Sequence, residues 1–308
     1  MLAAAAALPA PKPVPSAGEI VAASPAADWQ TIAPQDLLVM DLAPDAAGRP
    51  RRVVIQLMPA PFSQGWVGNI RKLAGAHWWD GLSVYRVQDN WVSQWGDGEG
   101  EDKSKAKPLP AGLAKVPQEE YVSPAQPCDS LMHGCDGPAP PVTSYQRQAA
   151  RDPYAPSTGY FQGWPVGYSD KASWPVHCYG SIGVARDNPP DSGTGAELYA
   201  VIGHAPRQLD RNLAVVGRVI EGIQHLSSLP RGPSPMGVYT KPEERTPISS
   251  VHPAAEIADL PQYEYLEPGS ASFERYAEAS ANHREPFYVQ PAGGIDICNL
   301  KVPVRRKK

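Results

Sequence analysis

The sequence predicts a mainly β protein carrying a long irregular insertion and a C-terminal extension. Three observations support that expectation. Short apolar runs of strand length recur between residues 36 and 251, and few segments show helical spacing. In addition, 36 Pro and 27 Gly among 308 residues demand many turns and extended loops. A hydrophobic content of 42% supports one packed core domain with appendages. The formal charge of -4, with no basic face along the chain, provides no electrostatic footprint for nucleic acid. No apolar run approaches the ~20 residues that span a bilayer, so no transmembrane segment is expected.

The elements follow in order. Residues 1–28 are Ala/Pro-rich and read as a flexible leader, and Leu2 to Ala10 fits either an export-signal remnant or a disordered stretch. Asp36–Leu42 and Arg52–Leu57 read as strands joined by a hairpin across Pro44–Pro50. Between Phe62 and Leu73, Trp66, Ile70 and Leu73 recur at spacings of four and three, which predicts an amphipathic helix. Leu82–Val87 and Trp91–Trp95 read as strands around a Gln88–Asn90 turn. From Gly96 to about Val176 the periodicity fails over a length too great for a simple loop, so residues 98–176 read as an insertion.

Strands resume at Gly180–Val184, Leu198–Ile202 and Leu213–Val219, followed by a short helix over Glu221–Leu229. The core domain is thus placed at 29–230. The extension, 231–308, carries a strand at Ile248–Val251 and a helix from Phe273 to about Asn282, with Ser272 as its N-cap. The terminal Arg305–Lys308 reads as a solvated tail.

Cys128, Cys135, Cys178 and Cys298 form an even set compatible with two disulfides in an oxidising compartment. Three pairings are open, among them a local Cys128–Cys135 bridge that leaves Cys178 to join Cys298, and reduced thiols are the alternative. The cysteines have no CxxC spacing and no closely spaced His pair, which disfavours zinc. His177 beside Cys178 reads as packing rather than a nucleophile–base pair, since neighbours on a strand face opposite ways.

Val84-Tyr-Arg-Val-Gln-Asp-Asn-Trp-Val-Ser-Gln-Trp-Gly-Asp97 resembles the cyclophilin signature, an aromatic-rich strand with an Arg, a turn, and a strand ending in Gln and then Gly-Asp. Val67-Gly-Asn-Ile-Arg-Lys-Leu73 and Trp79-Asp-Gly-Leu-Ser83 resemble the segments before it. Gly180-Ser-Ile-Gly-Val-Ala185, Gly193-Thr-Gly-Ala-Glu-Leu-Tyr199, Leu209-Asp210 and Val215-Val-Gly-Arg-Val-Ile-Glu-Gly222 resemble, in order, the blocks after it. The resemblance implies an eight-stranded antiparallel β-barrel capped by two helices, with an external groove for proline-containing polypeptides and peptidyl-prolyl cis-trans isomerase activity in protein folding.

That reaction must overcome about 18–20 kcal/mol of amide resonance. No cofactor or metal is expected, because the site need only bind the twisted amide better than the planar forms. The resemblance implies Arg86 as the catalytic residue, its guanidinium donating to the carbonyl oxygen and the prolyl nitrogen. It places Gln94 on the peptide backbone, Trp91 and Tyr199 around the proline ring, and Val92 and Leu209 at neighbouring apolar positions.

Leu213 stands where the family commonly has His, Gln208 where it has Trp, Arg186 where it has Asn, and Glu197 where it has Gln. Glu197 is expected to pair with Arg86 or Arg186, and Tyr85, replacing a His, to point away from the groove. The cysteines and leader favour a periplasmic or secreted location, with the cytoplasm as the alternative; the oligomeric state is open, a monomer being favoured. The altered groove keeps open a non-catalytic peptide-binding or scaffolding role.

Overall fold

A computed structural model describes residues 14–124 and 152–307. In chain order its strands are β1 (Trp29–Thr31), β2 (Leu37–Leu42), β3 (Arg51–Leu57), β4 (Ser83–Val87), β5 (Val92–Gly96), β6 (Ser123–Pro124), β7 (Ser157–Phe161), β8 (Trp164–Tyr168), β9 (Ala172–Pro175), β10 (Ser181–Val184), β11 (Leu198–Val201), β12 (Val215–Glu221), β13 (Thr246–Pro253), β14 (Tyr263–Leu266) and β15 (Val304–Arg306). The helices are α1 (Ala17–Ala22), α2 (Gln64–Gly75), α3 (Gln224–Ser227) and α4 (Ala271–Ala281).

Eight antiparallel strands close into a barrel in the order β10-β11-β5-β4-β13-β2-β3-β12. Closure removes the sheet edges and leaves an interior that alternate side chains fill. Met40 from β2, Val53 and Ile55 from β3, Trp95 from β5 and Leu198 and Ala200 from β11 lie in that core. Trp66, Ile70 and Leu73 of α2 belong to the same cluster, as their spacing predicted. Strand β13 sits between β2 and β4, so the strand expected beyond residue 230 is a stave of the barrel.

β2 and β3 are buried on both faces. Their outward Leu37 and Val54 are covered by Ile32, Ala254 and Tyr263. This cover belongs to a satellite built from three distant stretches of chain. β14 pairs with β1 and β15, and the insertion forms a four-stranded sheet in the order β6-β9-β8-β7. Trp29, Tyr160, Trp174, Phe273, Ala277 and Leu300 fill a second core between these parts.

Several expectations change here. Residues 17–22, read as part of a flexible leader, form α1, closed by a Ser16/Glu19 capping box and packed on α4. The expected solvated tail is a strand: Arg305 lies over the Trp29 ring and bonds Glu264 at 2.7 Å, and Arg306 grips Glu221. The insertion's strands escaped notice because Gly159, Pro165, Gly167 and Pro175 interrupt their pattern. The β7–β8 hairpin turns on Gln162-Gly163, both at positive φ, as a two-residue turn of primed type requires.

The helix expected over Glu221–Leu229 is a single turn, α3, because Glu221 remains in β12. The N-cap of α4 is Ser270, whose Oγ accepts from the Phe273 N–H at 3.1 Å, whereas Ser272 is buried. Cys178 and Cys298 form a disulfide. Cys128, Cys135 and Leu2–Ala10 lie outside the described residues. No helix among the described residues is long and apolar enough to cross a membrane.

Candidate active site

α2 fixes the chain segment that leads into β11. The Trp66 indole donates to the Ser192 and Gly193 carbonyls, Asn69 donates to Thr194 O, and Trp79 donates to Ala196 O. A Cβ on Gly195 would stand 3.1 Å from Ile70, so a glycine lets the loop lie close to the helix. β11 then pairs with β5, bringing Tyr199 opposite Gln94 and Val201 opposite Val92. With Leu198, Ala200 and Trp95 inside the barrel, strand alternation turns Val92, Gln94, Tyr199 and Val201 outward.

These outward residues meet as one apolar patch. Val92, Tyr199 and Val201 form its buried floor, with Trp91, Ala185 and Leu213 packed against them. The predicted Trp91, Val92, Tyr199 and Leu213 are therefore together. Leu209 is linked through its backbone, its carbonyl accepting from Leu213 N–H at 3.1 Å. Gln208 is exposed. Arg186 lies next to Ala185 and donates to the carbonyls of Asp187 and Asn212.

Arg86 reaches this region from β4, where the register shifts between Val84 and Arg86. Tyr85 is the extra residue of that bulge. Val84 and Val87 both face the core, so Tyr85 and Arg86 share the outer side instead of alternating. This corrects the expectation that Tyr85 points away.

Arg86 Nη1 donates to Gln94 Oε1 at 2.8 Å, Gln94 Nε2 donates to the Tyr85 hydroxyl, and that hydroxyl donates to Glu197 Oε2 at 2.8 Å. Every bond in this chain points from the guanidinium to the carboxylate, so each polarises the next. Glu197 thus pairs with neither arginine, contrary to expectation. Its second oxygen accepts from Asp97 N–H at 2.8 Å.

Burial pushes the Glu197 carboxyl up to about 7, against the opposing pull of the Asp97 and Tyr85 donors. Burial, reinforced by the Glu197 charge, raises the Tyr85 phenol well above its ordinary value, keeping it a donor. Burial also lowers the Arg86 pKa from the ordinary arginine value.

Arg86 is braced on two further sides. Nε donates to Met236 O at 2.7 Å and Nη2 donates to Gln88 Oε1. Residues 232–239 run along β4, with Val87 N–H bonded to Gly237 O and Tyr239 N–H to Tyr85 O. Of the five guanidinium N–H groups, three have these partners, leaving one on each terminal nitrogen with no partner among the described residues.

Sequence reading missed the support beneath the patch. His177 is buried, and its Nδ1 lies 3.0 Å from Asp210 while its Nε2 lies 2.9 Å from the Tyr199 hydroxyl. With Nδ1–H donated to Asp210, Nε2 accepts the Tyr199 proton. Arg207 continues the network, joining Asp210 to Asp152. Only the residue types were legible in the sequence, since Asp152, His177 and Asp210 are brought together by tertiary folding.

A family model for the cyclophilin type peptidyl-prolyl cis-trans isomerase matches residues 52–253, and the chain belongs to this family. Among solved structures, the cyclophilin AquaCyp293 from Hirschia baltica is similar at a TM-score of 0.63 and 22% identity, over 91% of this chain and 94% of that one. A Cryptosporidium parvum cyclophilin type peptidyl-prolyl cis-trans isomerase aligns over 70% of this chain and 96% of its own, at a TM-score of 0.38 and 11% identity. A search of curated proteins finds no match.

Proposed function

We propose that the chain catalyses peptidyl-prolyl cis-trans isomerisation, with Arg86 stabilising the twisted amide. Family and fold support the isomerase role. The observation that carries the residue assignment is the braced guanidinium beside the Trp91–Val92–Tyr199–Leu213 patch, with two N–H groups left over.

The patch offers an apolar seat for a pyrrolidine ring. One N–H of Arg86 donates to the substrate carbonyl oxygen. The other meets the prolyl nitrogen as its lone pair localises on rotation, an interaction absent from the planar amide and therefore specific to the transition state. No bond is made or broken. Gln94 is a positioning residue for the guanidinium, Tyr85 and Glu197 support Gln94, and Leu209 and Arg186 flank the patch. The Cys178–Cys298 bridge supports residence in an oxidising compartment, the periplasm or exterior.

A protease-coupled assay on a proline peptide tests the proposal. Arg86→Ala is expected to lose at least ~100-fold in kcat/KM, about 2.7 kcal/mol of transition-state stabilisation, with an unchanged circular dichroism spectrum. Wild-type acceleration that survives Arg86→Ala overturns the assignment. The second reading, peptide binding without turnover, is motivated by Leu213, Gln208, Arg186 and Glu197. It predicts peptide affinity with no acceleration by the wild type.

A further inference from the structure

The geometry points to a divalent transition-metal site formed by His77, Asp80 and His252, on the turn between α2 and β4 and its junction with β13, with Glu256 bonded to His77 beside it. One nitrogen of each imidazole and one Asp80 oxygen lie within 4.8 Å of one another. His252 Nε2 is 2.7 Å from Asp80 Oδ2, and His77 Nε2 is 2.7 Å from Glu256 Oε2. The two rings are stacked with centroids 3.9 Å apart.

This is a ligand set of two imidazoles and one carboxylate, leaving the fourth position of a tetrahedral ion to water. The Asp80 carboxylate supplies a hard oxygen donor and the two imidazoles supply nitrogen donors, a combination that suits a borderline divalent ion. Metal–ligand bonds of about 2.0–2.2 Å at tetrahedral angles put neighbouring donor atoms roughly 3.3–3.5 Å apart. The His252–Asp80 pair therefore opens by less than ~1 Å to admit the ion, and His77 closes on it from within 4.8 Å. Each imidazole keeps a proton by moving it to Nδ1. The stacked rings tilt apart so that both lone pairs meet at one point.

The scaffold is held in place around the ligands. Asp80 Oδ1 accepts from the Val251 N–H at 3.0 Å, which leaves Oδ2 for the ion and aims it at β13. His77 sits at positive φ at the end of α2, where glycine or asparagine is the ordinary residue. All four side chains are partly exposed, so an ion can enter from solvent. Lys107 binds the Asp80 carbonyl rather than its carboxylate. Imidazole with carboxylate selects zinc, cobalt or nickel over calcium or magnesium, which take all-oxygen sets.

Cobalt(II) titration of the metal-free, untagged full chain tests the site. One equivalent is expected to bind at micromolar affinity or tighter, with the visible bands of a four-coordinate ion, and zinc is expected to displace it. The zinc-loaded protein should unfold ~5 °C or more above the metal-free form. His252→Ala and His77→Ala should each weaken cobalt binding at least ~30-fold, and Glu256→Gln by less. His204→Ala and His225→Ala, exposed or half-exposed elsewhere, should leave it unchanged. If the variants at His77 and His252 bind as wild type does, or if wild type shows only octahedral, millimolar binding, the site is overturned. Isomerase activity is not the readout, so failure here leaves the Arg86 assignment standing.

Discussion

The candidate-site face of the barrel and the satellite behind β2 and β3 are built differently. The candidate site uses strands that are neighbours in the barrel: β4, β5 and β11 carry Arg86, Gln94 and Tyr199, and one bulge and one helix position them. The satellite uses segments far apart in the chain, with Trp29 against Leu266, Tyr160 bonded to Leu300 O, and Cys178 joined to Cys298 across 120 residues. The candidate site is placed on adjacent hydrogen-bonded staves of a closed barrel, although its partners, such as Arg86 and Met236, are also far apart in the chain. A cover can be assembled from whatever termini and loops reach it. The Asp152–Arg207–Asp210–His177–Tyr199 network is where the two meet.

The strongest challenge to this division is Phe273→Ala, which empties the centre of the satellite core. A fully buried Phe lost to Ala costs about 3–5 kcal/mol. The unfolding midpoint in urea should fall accordingly, while the barrel, which does not contain Phe273, keeps most of its isomerase rate at low temperature. Loss of rate in parallel with satellite stability would make the two regions one functional unit.

Removing the disulfide with the paired changes Cys178→Ser and Cys298→Ser is expected to cost about 2–4 kcal/mol, because the bridge closes a long loop in the unfolded chain. Matched thermal unfolding of the oxidised wild type and the double variant checks this. The effect on rate reports how much the neighbouring His177 depends on the bridge.

The smallest effect on rate belongs to Glu197 beside the candidate site. Its folded-state pKa of about 7 lies above the ordinary 4.5, so between these values the folded chain holds a proton that the unfolded chain has released. Wild-type stability therefore falls as pH rises from 4.5 to 7, by on the order of 3 kcal/mol, and changes little above that window. Glu197→Gln should remove this slope. The wild-type rate should rise across the upper part of the same window as the carboxylate forms and tightens Tyr85 and Gln94 on Arg86, and the variant profile should be flat.

The barrel strands were legible because apolar runs of strand length such as Arg52–Leu57 and Leu198–Ile202, buried on both faces, stand between turn residues, and the ordered motif blocks pointed to Arg86, Gln94 and the apolar patch. The Tyr85 orientation was not legible, since strict alternation sends adjacent side chains apart and a bulge appears only once β4 is paired with β5. The role of Glu197 changed for the same reason: its partner is the residue the bulge turned outward. Strands β7–β9 were hidden by Pro and Gly and β15 by its arginines, which depress strand pattern; in β15 Arg305 is held by Glu264 and Trp29, far from it in the sequence. Ser270 outranked Ser272 as a cap because capping depends on where the helix begins, which sequence fixes only to a few residues.

The central claim is that Arg86 turns a peptide seat into a catalyst. Exchange NMR on a proline-containing peptide reads binding and interconversion in one sample. The account predicts that wild type shifts the peptide resonances and produces cis–trans exchange cross-peaks at substoichiometric protein, whereas Arg86→Ala keeps the shifts within about threefold in affinity and loses the exchange. Exchange at the wild-type rate in Arg86→Ala, or wild-type binding without exchange, contradicts it.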